Sequence, residues 1–148
     1  DKGEVFTDNR DTNILNSIDV SKLIQTDFKA ISLSNSLEEL VQKIQESDEH
    51  IFPVLDEKNK LLGLIHLDEI RPIVFSQFKV KYTAVEEIMQ QPKEIIFYDD
   101  TLETIMDKFD ASECKVLPVL KNGIFLGFMY KQLILEKYRH RLKSMIIE

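Results

Sequence analysis

Three histidines (His50, His66 and His140) and one cysteine (Cys114) are the side chains of this sequence best suited to nucleophilic, acid–base or metal chemistry near neutral pH. The histidines do not stand at metal-ligand spacing to one another. Glu136 and His140, four apart on an expected helix, can share a metal ion, but a solvated helix pair is the commoner use of that spacing. A cysteine–histidine couple would need Cys114 beside His50 or His66, and nothing in the spacing activates the thiol. The four glycines, Gly3, Gly63, Gly123 and Gly127, form no phosphate loop, and neither a nucleophile elbow nor a Cys-x-x-Cys motif is present. Enzyme activity is therefore not expected. Cys114 reads as a small apolar filler, and a lone cysteine without an internal partner suits a reducing cytoplasm.

Charge narrows the partners. A net charge of −7 argues against general nucleic-acid binding, which needs a basic face. One stretch departs locally: Lys131, Lys137, Arg139, Arg141 and Lys143 stand against Glu136 alone, the pattern of a solvated helix face or of a contact for an anionic partner. Hydrophobic residues make up 43% and charged residues 30%, as in a soluble globular protein. No apolar run approaches the ~20 residues of a bilayer span, so direct membrane insertion by this segment is not expected. The polar start Asp1-Lys2-Gly3-Glu4 does not read as a signal peptide.

The elements that must position these residues come in two copies. With Val20 to Leu55 written above Val85 to Leu120, Ile31 meets Ile96, Leu37 meets Leu102, Glu38 meets Glu103 and Ser47 meets Ser112. Pro53-Val54-Leu55 meets Pro118-Val119-Leu120. After a gap of one residue in a turn, Leu62-Gly63 meets Leu126-Gly127 and Ile70 meets Ile134. One gap aligning so many positions is the signature of a duplicated unit.

Each copy predicts the same order of elements. A short helix (Asp19 to Gln25; Ala84 to Gln90) comes first, with Thr83 and Glu86 spaced as a capping box. A short strand follows around Ile31, and around Ile95-Ile96-Phe97. Ser36 to Glu39 and Asp100 to Glu103 each set a capping oxygen three residues before a glutamate. The helices they open carry Leu37, Leu40, Val41 and Ile44, or Leu102, Ile105, Met106 and Phe109, at helical spacing. Buried strands are expected over Ile51–Leu55 and Val116–Leu120, then over Leu61–His66 and Ile124–Tyr130. The intervening Asn122-Gly123 is a strong hairpin signal. Closing helices begin near Leu67 and Lys131. Such a unit is too small to bury a sizeable core alone, which is the physical reason to expect a pair.

The repeat resembles a CBS domain, and the tandem pair resembles a Bateman module. The likeness rests on Phe52-Pro53-Val54-Leu55-Asp56 and Leu62-Gly63-Leu64-Ile65-His66-Leu67-Asp68-Glu69-Ile70, with Leu117-Pro118-Val119-Leu120 and Leu126-Gly127-Phe128-Met129 in the second copy. The resemblance implies an α/β fold of two βαβ-type repeats with pseudo-two-fold symmetry. It divides the chain into a lead-in linker (1–18), repeat 1 (19–75), a polar linker (76–82), repeat 2 with a C-terminal helix (83–143) and a tail (144–148). Gly123 to Lys131, Tyr138-Arg139, Ile70 to Phe75 and the lead-in Val20 to Phe28 also look like the C-terminal CBS pair of bacterial ClC-type chloride channels and antiporters. That narrower likeness implies an attached transmembrane chloride transport domain, a homodimer, and a place on the cytoplasmic side of the cell inner membrane.

Many CBS pairs bind ATP, ADP or AMP, and the resemblance implies where. The family pattern after the last strand is Gly-x-x-Ser/Thr-x-x-Asp, with the hydroxyl at phosphate and the carboxylate on ribose hydroxyls. The first copy offers Gly63, His66 and Glu69, with adenine expected along Lys29-Ala30-Ile31 and the wall at Phe52-Pro53. The matching second cleft would use Ile95, Ile96, Leu117, Pro118, Tyr130 and Lys131, but Leu133 stands where the ribose carboxylate belongs. No metal and no required cofactor is expected. Three readings stay open: a nucleotide-sensing regulator, a ligand-free structural dimerisation element, and the regulatory pair of another transporter or of an enzyme.

Overall fold

The structure is a computed structural model that describes residues 9–147. Two compact units divide the chain, and each exchanges a segment with the contiguous sequence repeat. One unit takes Asp27–Pro92 together with Asn122–Phe125; the other takes the residues up to Thr26, Lys93–Lys121 and the chain from Leu126 onward.

The Asp27–Pro92 unit is built on helix α2 (Leu37–Gln45), strands β1 (Ile51–Leu55) and β2 (Leu61–His66), and helices α3 (Leu67–Val74), α4 (Gln77–Tyr82) and α5 (Val85–Ile88). The expected capping box at Ser36 is present: the Ser36 hydroxyl accepts from the Glu39 N–H at 3.1 Å, and Glu39 accepts from the Ser36 N–H at 2.9 Å. β1 and β2 pair antiparallel, with Phe52 opposite Ile65 and Ile51 opposite His66. Ile31 adds a parallel bridge on the free edge of β1, and Gln90 an antiparallel bridge to Leu64 of β2. Ile31, Leu37, Leu40, Phe52, Val54, Ile65, Ile70 and Val85 form the core.

The second unit holds helix α1 (Asn9–Asn16), a 3-10 turn (Val20–Leu23), strand β3 (Ile96–Phe97), helix α6 (Leu102–Ser112), strand β4 (Val116–Lys121), strand β5 (Ile124–Tyr130) from Leu126 onward, and helix α7 (Lys131–Ile147). β3 runs parallel to β4, and β5 returns beside β4 through Asn122-Gly123, both with positive φ as a two-residue hairpin of this kind requires. Gln25 bridges Phe128 of β5, repeating the Gln90–Leu64 bridge. Ile14, Leu15, Phe109, Val119, Met129 and Ile134 are among its buried core residues.

Four local expectations are corrected. Residues 76–82 are not a bare linker: Ser76 caps α4 by accepting from the Lys79 N–H at 3.3 Å. The lead-in is helical from Asn9, because Ile14 and Leu15 bury against the helices α1 packs on, α6 and α7. The box expected at Thr83 and Glu86 lies one residue later, where Glu87 accepts from the Ala84 N–H at 3.2 Å and alanine offers no return oxygen. Thr101, not Asp100, caps α6, accepting from the Thr104 N–H at 3.2 Å. In addition, α7 continues through Ile147, across the start of the expected tail.

Candidate functional site

The first candidate cleft follows from how β1 is flanked. The Ile31 N–H donates to the Pro53 carbonyl at 2.8 Å, and the Leu55 N–H donates to the Ile31 carbonyl at 2.9 Å. Lys29-Ala30-Ile31 is thereby laid along Phe52-Pro53. On the other side of β1 is β2, whose last residue, His66, lies opposite Ile51 and serves as the N-cap of α3. His66 makes no side-chain capping bond to the helix, so its imidazole does not occupy the first amides of α3. Asp68 and Glu69 lie in the first turn.

Not all seven residues face a ligand. Phe52 is fully buried and Ile31 nearly so, and both belong to the core. Both backbone polar groups of Ile31 are taken by β1, and the Ala30 carbonyl accepts from Lys43 Nζ at 2.9 Å. What remains for a ligand is the exposed Lys29, the half-buried His66 and the exposed Glu69. The Glu69 carboxylate is already engaged, accepting a hydrogen bond from Gln90 Nε2.

The second candidate cleft is divided. Ile96, Leu117 and Pro118 are buried beside one another in the β3–β4 pair, and the Ile95 carbonyl accepts from Lys108 Nζ at 2.7 Å. Tyr130 and Lys131 instead line a hollow of about 580 Å³ with Glu113, Cys114, Val116 and Leu135. The Lys131 ammonium pairs with Asp110 at 3.3 Å, so it is not the unengaged cation a phosphate contact needs. Leu133 is half-buried on α7.

Comparison with known proteins matches one segment of the chain to a family model and most of the chain to a fold. Residues 20–75 match the CBS domain model. Among solved structures, the chain is similar to a CBS domain-containing protein of unknown function from Bacillus anthracis, with 20% identity, 87% of this chain and 98% of that one covered, and a TM-score of 0.75. It is also similar to CbpB from Streptococcus agalactiae, with 19% identity, 99% and 90% covered, and a TM-score of 0.70. A third likeness is to the CBS domain of a bacterial CNNM/CorC family Mg2+ transporter in complex with ATP, with 15% identity, 86% and 92% covered, and a TM-score of 0.74. In another matched structure the chain spans 60% of the length. No curated protein sequence matches. The chain has the fold of a tandem CBS pair.

Among the described residues, no three of His, Cys, Asp and Glu group to hold a metal. Two features shared by the copies lie outside the motifs. Lys43 and Lys108 occupy the same place in the two copies and make the same bond, each to the carbonyl thirteen residues earlier. Asn35 and Asp100 likewise match: the Ser32 N–H donates to Asn35 Oδ1, and the Phe97 N–H to Asp100 Oδ2, both at 2.9 Å. The signal was available, since a shift of 65 residues sets lysine on lysine. Gln90 carried no such signal, because its contact with Glu69 joins distant parts of the chain.

Proposed function

We propose that this CBS pair is the regulatory module of a larger protein, a transporter or an enzyme, and responds to an adenine nucleotide held in the first-copy cleft. The observation that carries the reading is the placement of Lys29-Ala30-Ile31 on one flank of β1 and of His66 and Glu69 beyond its other flank. Two strand spacings, about 10 Å, separate those flanks, a reach suited to a nucleoside and its phosphates. Lys29 and His66 supply donors to phosphate at the start of α3, and Glu69 accepts from ribose hydroxyls once it leaves Gln90. The ATP complex of the CNNM/CorC domain supports this assignment by likeness of fold. Attachment to a transporter on the cytoplasmic side of a membrane, and a homodimeric state, belong to the same proposal. The comparisons favour this wider attachment over the chloride-transport one.

Regulation requires that nucleotide bind one arrangement of the module more tightly than another. A second reading, a ligand-free dimerisation element, is favoured by Leu133 at the ribose place and by the engagement of Glu69 with Gln90 and of Lys131 with Asp110.

Isothermal titration with ATP, ADP and AMP separates the two. The proposal expects saturable binding by at least one nucleotide, weakened about tenfold by Glu69→Ala and by His66→Ala, the loss of one charge-assisted hydrogen bond in each case. Lys131→Ala is expected to leave affinity unchanged. Absence of binding at millimolar nucleotide would favour the dimerisation element.

A further inference from the structure

Large aromatic side chains left outside a folded unit mark a surface that something else covers. In the Asp27–Pro92 unit, Phe75 is 85% exposed, Phe78 73% and Tyr82 65%. They lie at the end of α3 and along α4, a helix that buries none of its residues. Phe78 and Tyr82 touch ring to ring, with centroids 4.8 Å apart. A hollow of about 440 Å³ opens beside them, lined by Val41, Val74, Phe75, Val80, Lys81 and, as its one carboxylate, Glu38.

The charge of this stretch says what fits it. Between Glu69 and Glu86 the chain carries Arg71, Lys79 and Lys81 and no acidic residue, although the whole sequence has a net charge of −7. Arg71 is paired with Asp68, which leaves Lys79 and Lys81 as the cations among the rings. Lys81 Nζ lies 5.6 Å from the Tyr82 ring centre. Outward aromatics interleaved with lysines are the composition of a segment that lies in a membrane interface. A second copy seated symmetrically on this face would bring Lys79 and Lys81 toward their own counterparts, with Glu38 alone to offset them. The other cation-rich stretch, on α7, exposes no aromatic ring.

We propose that the end of α3 and α4 form a contact for an anionic lipid surface. Phe75, Phe78 and Tyr82 enter the boundary between headgroups and acyl chains, and Lys79 and Lys81 meet lipid phosphates. The segment lies on the bilayer and does not cross it; no described helix is long and apolar enough to span. The proposal stands apart from the nucleotide reading and does not depend on it.

The test is co-sedimentation of the full chain with phosphatidylcholine vesicles, with and without phosphatidylserine, at low and high salt. Binding is expected with phosphatidylserine only, and to fall as salt screens the lysines. Phe78→Ser/Tyr82→Ser and Lys79→Glu/Lys81→Glu should each lower partitioning about tenfold, with unchanged thermal unfolding as the check on folding. Equal sedimentation with and without phosphatidylserine, or wild-type partitioning by both double variants, would overturn the proposal. So would a dimer in sedimentation equilibrium that the aromatic variant splits while vesicles go unbound, which would give the face to a second copy.

Discussion

Gly127 and Gly63 are equivalent in the repeat, yet their surroundings demand a side-chain-free position to different degrees. A Cβ on Gly127 would sit 2.2 Å from the Gln25 carbonyl oxygen, whereas one on Gly63 would meet the flexible Met89 Sδ at 2.9 Å. Gly127→Ala should therefore cost about 3 kcal/mol or more and Gly63→Ala about 1 kcal/mol, as expected for overpacking against rigid backbone and against a mobile thioether. Urea unfolding of the two variants checks the order. Lys108 offers a second residue-scale test. Its ammonium reaches the Ile95 carbonyl at 2.7 Å and Asp100 at 2.6 Å, with both charged side chains 17% exposed. Lys108→Met would leave the Ile95 carbonyl without its side-chain donor and the Asp100 carboxylate, still held by the Phe97 N–H, without its counter-charge, lowering stability by about 2 kcal/mol. Adding Asp100→Asn should recover part of that loss, because the uncompensated charge is then removed. The leucine–glycine match was legible in the sequence as a repeat. Its reason was not, because the carbonyl that forbids a side chain comes from a segment about a hundred residues away.

Helix ends carry the predictions at the scale of elements. The backbone N–H and hydroxyl of Ser36, the largest influences in that order, hold the Glu39 carboxyl below its ordinary range. A depressed carboxylate contributes stability that is present above its unfolded pKa and lost as pH falls through the folded value. The Ser36–Glu39 box should thus weaken on the acid side of about pH 4, and Glu39→Gln should flatten that part of the stability profile. Asp19, lowered chiefly by the Ser21 hydroxyl, contributes with the same sign. At the far end of α6, Glu113 ends the helix in a left-handed conformation with φ 59°. Glu113→Gly should raise stability by about 0.5–1 kcal/mol, read as a higher melting temperature. Where apolar spacing and a capping pair agreed, as at Ser36 to Ile44, the helix was legible. Where the polar residues were ambiguous, as at Asp100-Thr101, the cap shifted by one residue, because either side chain can serve and the loop decides. Asp100 is drawn away by the Phe97 N–H and Lys108.

At the scale of the whole molecule, the contiguous repeat and the compact unit are different objects. Gln25 opens the first copy in sequence but pairs with Phe128, while Gln90 opens the second and pairs with Leu64. The Asn122–Phe125 tip likewise joins the unit of the first copy, where the Phe125 N–H donates to the Asn59 carbonyl at 2.9 Å and its ring meets Phe28 edge-on at 4.8 Å. Each unit therefore depends on residues from the other copy, so the isolated segment 19–75 should not fold cooperatively by itself. Circular dichroism melting of that segment, compared with the full chain, checks this; a sharp transition at the full chain's midpoint would contradict it. By itself the sequence determined the duplication, the α/β class, strands β1, β2 and β5 to the residue, and the amphipathic faces of α2 and α6. Those features are set by local periodicity, turn chemistry and short-range capping, which are written in neighbouring residues. Only the tertiary structure decided which copy each leading segment joins, that Gln90 holds Glu69 and Asp110 holds Lys131, and that Gln77–Tyr82 is a helix with an aromatic outer face. Those depend on partners far apart in the chain, and no local pattern encodes a contact whose two halves meet only on folding.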